Sequence, residues 1–274
     1  MLRFAKAHAY GNDFLYVEKG AVDGVVYGTL DGVAAAALAR QLCARHTGIG
    51  ADGLIFYRRT PAGATMQLYN ADGGRAEVSG NGVRGLAALL LHGDNRDGAA
   101  VTIATEAGPK LVTRVGVADS RPIFRTAMGL AVDVRQVTLD AAGESVAAVV
   151  MNFGNPQCLV LGAQPTDERF HRLGAALETH AFFPDAANIE FVTVEAPDRI
   201  RIRIWERGVG PTTSSGTGSC ASFVAAVMFG GAARDGIVIA PGGSQRVEWL
   251  DDSVYLTGWA EVLSEGEWFR ELPR

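Results

Sequence analysis

The sequence predicts an α+β fold built as two similar domains, and three observations carry that expectation. Short strand-like runs and helices follow one another without the regular strand–helix–strand alternation of a wound parallel sheet. Two helices open on nearly the same corner: "AEVSGNGVRG" at 76–85 and "TTSSGTGSCA" at 212–221 each set a serine before Gly-x-Gly and a helical run. Around these corners other features recur in one order. "YGND" (10–13) is echoed by "FGNP" (153–156), and Asn70 and Glu206, each ending a strand-like run, stand nine positions before Ser79 and Ser215. Each half thus runs through a Gly-Asn loop, a strand, a polar strand end, then S-G-x-G and a helix. The division falls near residue 120, in "VADSRP". The expected domains are 1–120 and 121–260, with the last strand and tail, 261–274, returning to the first. Such a duplication would face two helix N-termini across one cleft.

Residues 2–7 and 14–18 read as strands around the loop "AYGND". "VAAAALARQLCAR" (33–45) reads as a helix, rich in Ala and Leu with no internal breaker. "GLIFYRR" and "TMQLYN" read as strands, and "NGVRGLAALLLHG" as a helix closed by Gly93. "RIRIW" (201–205) alternates polar and apolar residues as a half-buried strand does. "GTGSCASFVAAVMFGG" reads as a second helix opened and closed by glycine, and "AAVTIAT", "VAAVVMNFG", "NIEFVTV", "RVEWL" and "SVYLTG" as further short strands.

Composition excludes several function classes. With 274 residues, 48% of them hydrophobic, the chain can bury one large or two medium cores. The net charge is −5 and the 25 basic residues are scattered, so no footprint for nucleic acid is present. The N-terminus lacks an apolar signal core, and no run approaches 18 apolar residues, so no membrane partner is expected and the protein reads as cytoplasmic. Cys43, Cys158 and Cys220 are too few and too scattered for a disulfide framework and lack C-x-x-C spacing. Five separate histidines without a ligand pair leave no metal site to expect.

"GIGADG" (48–53), "GNGVRG" (80–85) and "GTGSCA" (216–221) match or nearly match the dinucleotide pattern, which carries meaning only between a strand and a helix with an acidic partner beyond. The first follows a helix and precedes a strand, and the other two lack the acidic partner. No nucleotide cofactor is expected. The glycines offer instead bare backbone N–H groups at helix starts, which with the helix dipole bind anions, carboxylates included. Ser79 and Ser215 are ordinary N-cap residues by type. A serine-hydrolase reading fails, because no G-x-S-x-G elbow or His-Asp pair accompanies either of them, and nothing nearby in sequence supplies a base. Glu206-Arg207 is either a solvated pair or a grip in which Arg207 holds a carboxylate and Glu206 an ammonium. Asn12, Asn70, Asn155 and Asn188 are either turn residues or, with that pair, a polar set suited to a zwitterion.

These stretches resemble one family end to end. "HAYGNDF" (8–14), "GIGADGLI" (48–55), "YNADGGRAEVSGNGVR" (69–84), "GNPQC" (154–158), "NIEFV" (188–192) and "ERGVGPTTSSGTGSCA" (206–221) are similar to the diaminopimelate epimerases, cofactor-independent relatives of proline racemase. The resemblance implies two pseudo-symmetric domains, each a mainly antiparallel sheet wrapped around a central helix. It implies interconversion of LL- and meso-diaminopimelate, serving lysine and cell-wall precursor synthesis, with no cofactor and no metal. It suggests a small amino acid substrate and the homodimer common in the family as partners. By the same resemblance Asn12, Asn70, Asn155, Asn188, Glu206 and Arg207 hold the distal amino acid end. The backbones of Gly80, Asn81, Gly216 and Thr217 hold the carboxylate at the reacting centre.

The chain departs from the family at its reacting pair. The two cysteines that exchange protons with the α-carbon fall at Ser79 and Ser215, and Gln157 stands where the family usually has histidine. Cys220 lies inside the helix and is not the missing thiol. A thiol near pKa 8.5, lowered at a helix N-terminus, is a workable base, whereas a serine hydroxyl needs an adjacent base. Three readings stay open: an epimerase impaired at its acid–base pair, an isomerase or lyase in which serine works on another α-amino acid or related acid, and a non-catalytic binder of a diamino-dicarboxylate.

Overall fold

The computed structural model describes residues 1–22, 25–26 and 32–269. The chain runs through β1 (Leu2–Ala9), β2 (Asn12–Glu18), β3 (Ala21–Val22), β4 (Val25–Val26), α1 (Gly32–Cys43), β5 (Gly53–Thr60), β6 (Gly63–Asn70), β7 (Arg75–Ala76) and α2 (Gly80–Leu90). There follow β8 (Ala100–Thr105), β9 (Gly108–Ala118), β10 (Arg121–Gly129), β11 (Val132–Ala141), β12 (Glu144–Asn152), β13 (Pro156–Leu161) and α3 (Asp167–Glu178). The rest is β14 (Asn188–Ala196), β15 (Arg199–Glu206), β16 (Gly210–Thr212), α4 (Gly216–Phe229), β17 (Asp235–Ala240), β18 (Gly243–Trp249), β19 (Val254–Trp259) and β20 (Glu261–Trp268). The chain divides into two compact units, Met1–Phe124 with Trp259–Arg274, and Arg125–Gly258.

Within the first unit the strands pair in the order β20–β1–β2–β5–β6–β8–β9, antiparallel except for β2 with β5 and β6 with β8. Within the second the order is β11–β12–β13–β14–β15–β17–β18–β19, antiparallel except for β13 with β14 and β15 with β17. The two parallel pairings fall at matching places. Phe14 lies opposite Gly53 in one unit as Gln157 lies opposite Asn188 in the other. The units therefore share one topology, and position matches position: Asn12 with Asn155, Ile55 with Glu190, Gly82 with Gly218.

Each sheet is covered on both faces, which explains why strands such as "LIFY" read as unbroken apolar runs. In β2 and β5, Phe14, Tyr16, Ile55 and Tyr57 join the core around α2, while Leu15, Val17, Leu54 and Phe56 join the core under α1. The same period-2 alternation sends Val192, Ile202 and Ile204 toward the α4 core and Ile189 and Phe191 toward α3. α2 is buried from Gly80 to Leu89, Arg84 included, and α4 from Gly216 to Ala226, so both helices lie within the cores rather than on them.

α2 ends at Leu90 with Leu91 as its cap, not at Gly93, and two further details differ from the sequence reading. α1 ends at Cys43 rather than residue 45, because the chain folds back and caps it: Gly48 N donates to Ala44 O at 2.8 Å, and Ile49 N and Gly50 N donate to Leu42 O at 2.8 and 3.0 Å. Gly50 takes φ +83, and a Cβ on Gly48 would come within 2.3 Å of Gln41 O. The second difference is α3, which the sequence reading did not contain. Thr166 caps it by accepting from Arg169 N, Asp167 and Glu168 occupy its first turn, and Phe170, Leu173, Gly174 and Leu177 form its buried face.

Candidate functional site

Ser79 and Ser215 stand at the starts of α2 and α4. Ser79 precedes α2 in extended conformation (φ −129, ψ 122), and its Oγ accepts from Gly82 N at 3.1 Å. Ser215 precedes α4 in the same conformation (φ −138, ψ 128), its Oγ accepting from Gly218 N at 3.0 Å and lying 3.4 Å from Thr217 Oγ1. Both serines are buried N-caps. The first-turn N–H groups of a helix seek acceptors beyond it, and neither helix has an acidic residue in that turn. Gly80 and Asn81, and Gly216 and Thr217, thus lead positive helix ends suited to a carboxylate.

In the first unit a charged scaffold holds the Gly-Asn loop. The turn at Tyr10 and Gly11 (φ 56 and 85) delivers Asn12. Its Nδ2 donates to Asp52 Oδ2 at 2.8 Å, and its Oδ1 accepts from Asn81 Nδ2 at 3.1 Å. Asp52 Oδ2 also accepts from Asp13 N, and Asp13 Oδ1 accepts from Asp52 N, both at 3.1 Å. Arg45 bridges the two carboxylates at 2.9 and 2.7 Å, and Lys6 Nζ reaches Asp13 at 2.9 Å. Burial alone would raise the Asp13 carboxyl, but Arg45 and Lys6 together outweigh it and hold it below the usual carboxylate range. Asn70 ends β6 opposite Gly53, its backbone closing the turn to Gly73 and Gly74.

In the second unit the loop turns at Gly154 (φ 85) and delivers Asn155 and Gln157. Asn155, Gln157, Asn188 and Glu190 form one buried polar cluster. Asn188 Nδ2 donates to Pro156 O at 3.3 Å, and its Oδ1 accepts from Arg207 N at 3.0 Å. Glu206 and Arg207 stand at the end of β15, where Arg207 also donates to Asp185 O at 3.1 Å. The Gln157 amide is a polar neighbour of Glu190. With its nitrogen toward Glu190 it lies 3.1 Å from both carboxylate oxygens. In that orientation the Gln157 oxygen accepts from Asn188 Nδ2 at 3.2 Å. Burial, and then the charge of Glu206, push the Glu190 carboxyl well above the ordinary glutamate range.

The structure thus brings Asn12 and Asn81 together near the Ser79 corner. It groups Asn155, Asn188 and Arg207, and it places Gly216 and Thr217 directly after Ser215. Asn70 stands at the end of β6, paired with Gly53 of β5. Sequence reasoning missed Asp13, Arg45, Asp52 and Glu190. The "GIGADG" stretch is the signal for Asp52, because it supports the loop that carries Asn12. The thiols do not compensate for the serines. Burial pushes Cys43 and Cys158 up to about 12, and Cys220 is buried within α4. No group of three or more His, Cys, Asp or Glu able to hold a metal occurs among the described residues. No described helix is long and apolar enough to cross a membrane.

Known proteins resemble this chain over nearly its whole length. The family model described as Diaminopimelate epimerase matches residues 4–132 and 149–263. The diaminopimelate epimerase of Desulforudis audaxviator is 38% identical over 287 residues, covering 98% of this chain and 100% of that protein. That of Nostoc punctiforme is 35% identical, covering 97% and 99%. Among solved structures, a predicted epimerase from Pseudomonas aeruginosa superposes with a TM-score of 0.73 at 19% identity, covering 99% of this chain and 100% of that one. On a family match over most of its length and relatives above 30% identity, the chain belongs to the diaminopimelate epimerase family.

Proposed function

We propose that this protein is a cytoplasmic, cofactor-independent isomerase that interconverts LL- and meso-diaminopimelate by proton transfer at the α-carbon. The observation that carries the reading is the repeated helix start. Each of two topologically matched units presents a buried serine cap followed by glycine-rich N–H groups, and in the first the Gly-Asn loop reaches the helix start through Asn12 and Asn81. Donors preorganised at a helix start stabilise the charge that builds on the substrate carboxylate as the α-proton leaves. Ser79 and Ser215 take the proton-transferring places, and Gly80, Asn81, Gly216 and Thr217 hold the reacting carboxylate. Asn12, Asn70, Asn155, Asn188, Glu206 and Arg207 hold the distal amino acid group.

Serine is a weaker acid than the cysteine it replaces, so the serine form turns over more slowly than a thiol form would. Proton NMR of LL-diaminopimelate in D₂O tests the reading, with the protein beside its Ser79→Cys/Ser215→Cys double variant. Loss of the α-proton signal and growth of the meso isomer are expected with both, faster with the double variant. Binding of diaminopimelate without exchange by either form would make the protein a binder, and no binding at all would overturn the substrate assignment.

A further inference from the structure

The two serine corners share a backbone but differ in what lies behind them. A Cβ placed on Gly82 would meet Ile55 Cδ1 at 2.8 Å and Ser79 Oγ at 3.5 Å. A Cβ placed on the matching Gly218 would meet Glu190 Oε1 at 2.3 Å and Ser215 Oγ at 3.0 Å. The hydrocarbon that backs Ser79 is replaced behind Ser215 by a carboxyl, and the neighbour Phe14 is replaced by Gln157. The carboxyl and the Ser215 hydroxyl both lie within 3.0 Å of one point that no side chain fills, and a water molecule between them would link the two. Glycine at 218 keeps that space open.

We infer that Glu190 is the proton-relay partner of Ser215, and that the two serine corners are therefore chemically unequal. This rests on the epimerase reading and supplies what serine lacks in place of cysteine. As Ser215 Oγ takes the proton from the substrate α-carbon, its own hydroxyl proton passes to Glu190 Oε1. The Cα–H and the old Oγ–H bonds break, a new Oγ–H and an Oε1–H bond form, and the C–H electron pair stays on the substrate, delocalised into its carboxylate. The reverse transfer returns the proton. Ser215 can do this while capping α4, because a hydroxyl accepts from Gly218 N and still has its own proton to give. The Gln157 amide nitrogen, 3.1 Å from both Glu190 oxygens, holds the carboxylate that receives the proton. Glu190 touches the hydroxyl rather than the substrate and is a positioning and relay residue.

The groups facing Glu190 define its titration. Gln157 and Cys158 lie on β13, Asn188 on β14 itself, Glu206 on β15, and Ser215 at the start of α4. Glu206 acts on Glu190 through its charge, and Cys158 stays a thiol because burial pushes it up to about 12. Proton removal by Ser215 therefore speeds up as pH rises through the titration of Glu190.

The test measures α-proton exchange of LL- and of meso-diaminopimelate in D₂O across pH. It uses the protein, Glu190→Gln, Glu190→Asp, the Ser79→Cys/Ser215→Cys variant, and that variant with Glu190→Gln. Expected is a loss of about a hundredfold or more in Glu190→Gln, disappearance of the rising pH limb, and partial recovery in Glu190→Asp. In the cysteine background the same change should cost less than about tenfold, because a thiolate needs no relay. An equal loss in both backgrounds, or no loss with serine, overturns the relay and leaves the epimerase reading intact. Exchange by the cysteine form alone does the same. Silence from the cysteine form as well overturns the epimerase reading, and the relay falls with it.

Discussion

At the scale of single residues, two buried carboxyls with opposite electrostatics decide how the protein responds to pH. Asp13 is held below the usual range by Arg45 and Lys6, so its folded pKa lies under its unfolded one near 3.9. The stability it contributes is present above that value and is lost as pH falls through the folded pKa. Asp13→Asn should therefore lower the denaturant midpoint at pH 7 and converge on the parent protein in acid. Glu190 has the other sign. Its folded pKa is raised, so its contribution is present below about pH 4.3 and is lost as pH climbs through the folded value. Glu190→Gln should raise the midpoint at pH 7 to 8 and give no gain near pH 4. A lower midpoint for Glu190→Gln at neutral pH would mean that the carboxyl is retained for stability rather than chemistry. The serines are simpler: Ser79→Ala and Ser215→Ala each remove a cap bond to Gly82 or Gly218 and should cost about 1 kcal/mol in urea unfolding.

At the scale of elements, glycine inside a helix marks where something must come close. Gly85 lies in α2, where a Cβ would meet Tyr16 Oη at 2.2 Å, and that hydroxyl donates to Gly82 O at 3.0 Å. Gly174 lies in α3, where a Cβ would come within 2.7 Å of the Trp205 ring, itself held by Glu178 at 2.6 Å. Alanine gains about 1 kcal/mol in helix propensity over glycine. Against a rigid ring that gain is outweighed, so Gly174→Ala should destabilise by about 1–3 kcal/mol net, measured by urea unfolding; a stabilised variant would show that α3 can shift away from Trp205. The sequence announced α2 and α4 through their serine-glycine corners, and the strands through apolar runs. It also held α3, in the Thr166 cap, the acidic first turn and the 170, 173, 174, 177 spacing, but those signals sit among charged residues that read as loop. Glu190 was illegible for another reason. In "NIEFV" an acid at alternate spacing looks solvent-facing, and only a sheet covered on both faces buries it against α4. Asp13, Arg45 and Asp52 were hidden because the parallel pairing of β2 with β5, not their spacing along the chain, brings them together.

At the scale of the whole molecule, the path of the chain makes the two units unequal in what they need to fold. The second is one continuous stretch, Arg125–Gly258, with its own helices and its own buried core. About 130 residues is a common size for a domain that folds alone. The first depends on chain that returns from the far end of the sequence. β20 pairs with β1 from Leu2↔Trp268 to His8↔Glu261. Trp259 stacks on Tyr10 with ring centroids 4.4 Å apart, and its carbonyl accepts from the fully buried Arg84 of α2 at 3.4 Å. Ending the chain at Gly258 would strip β1 of a strand, expose its backbone groups, and remove an acceptor from a buried cation, losses of several kcal/mol together. Against the typical stability of a domain, about 5–15 kcal/mol, that is enough to unfold the first unit while the second persists. Hydrogen exchange on the truncated chain should show protected amides in β14, β15 and α4 and none in β1, β2 and α2. Protection retained in β1 and α2 would mean that β20 is an addition to a sheet already able to stand without it.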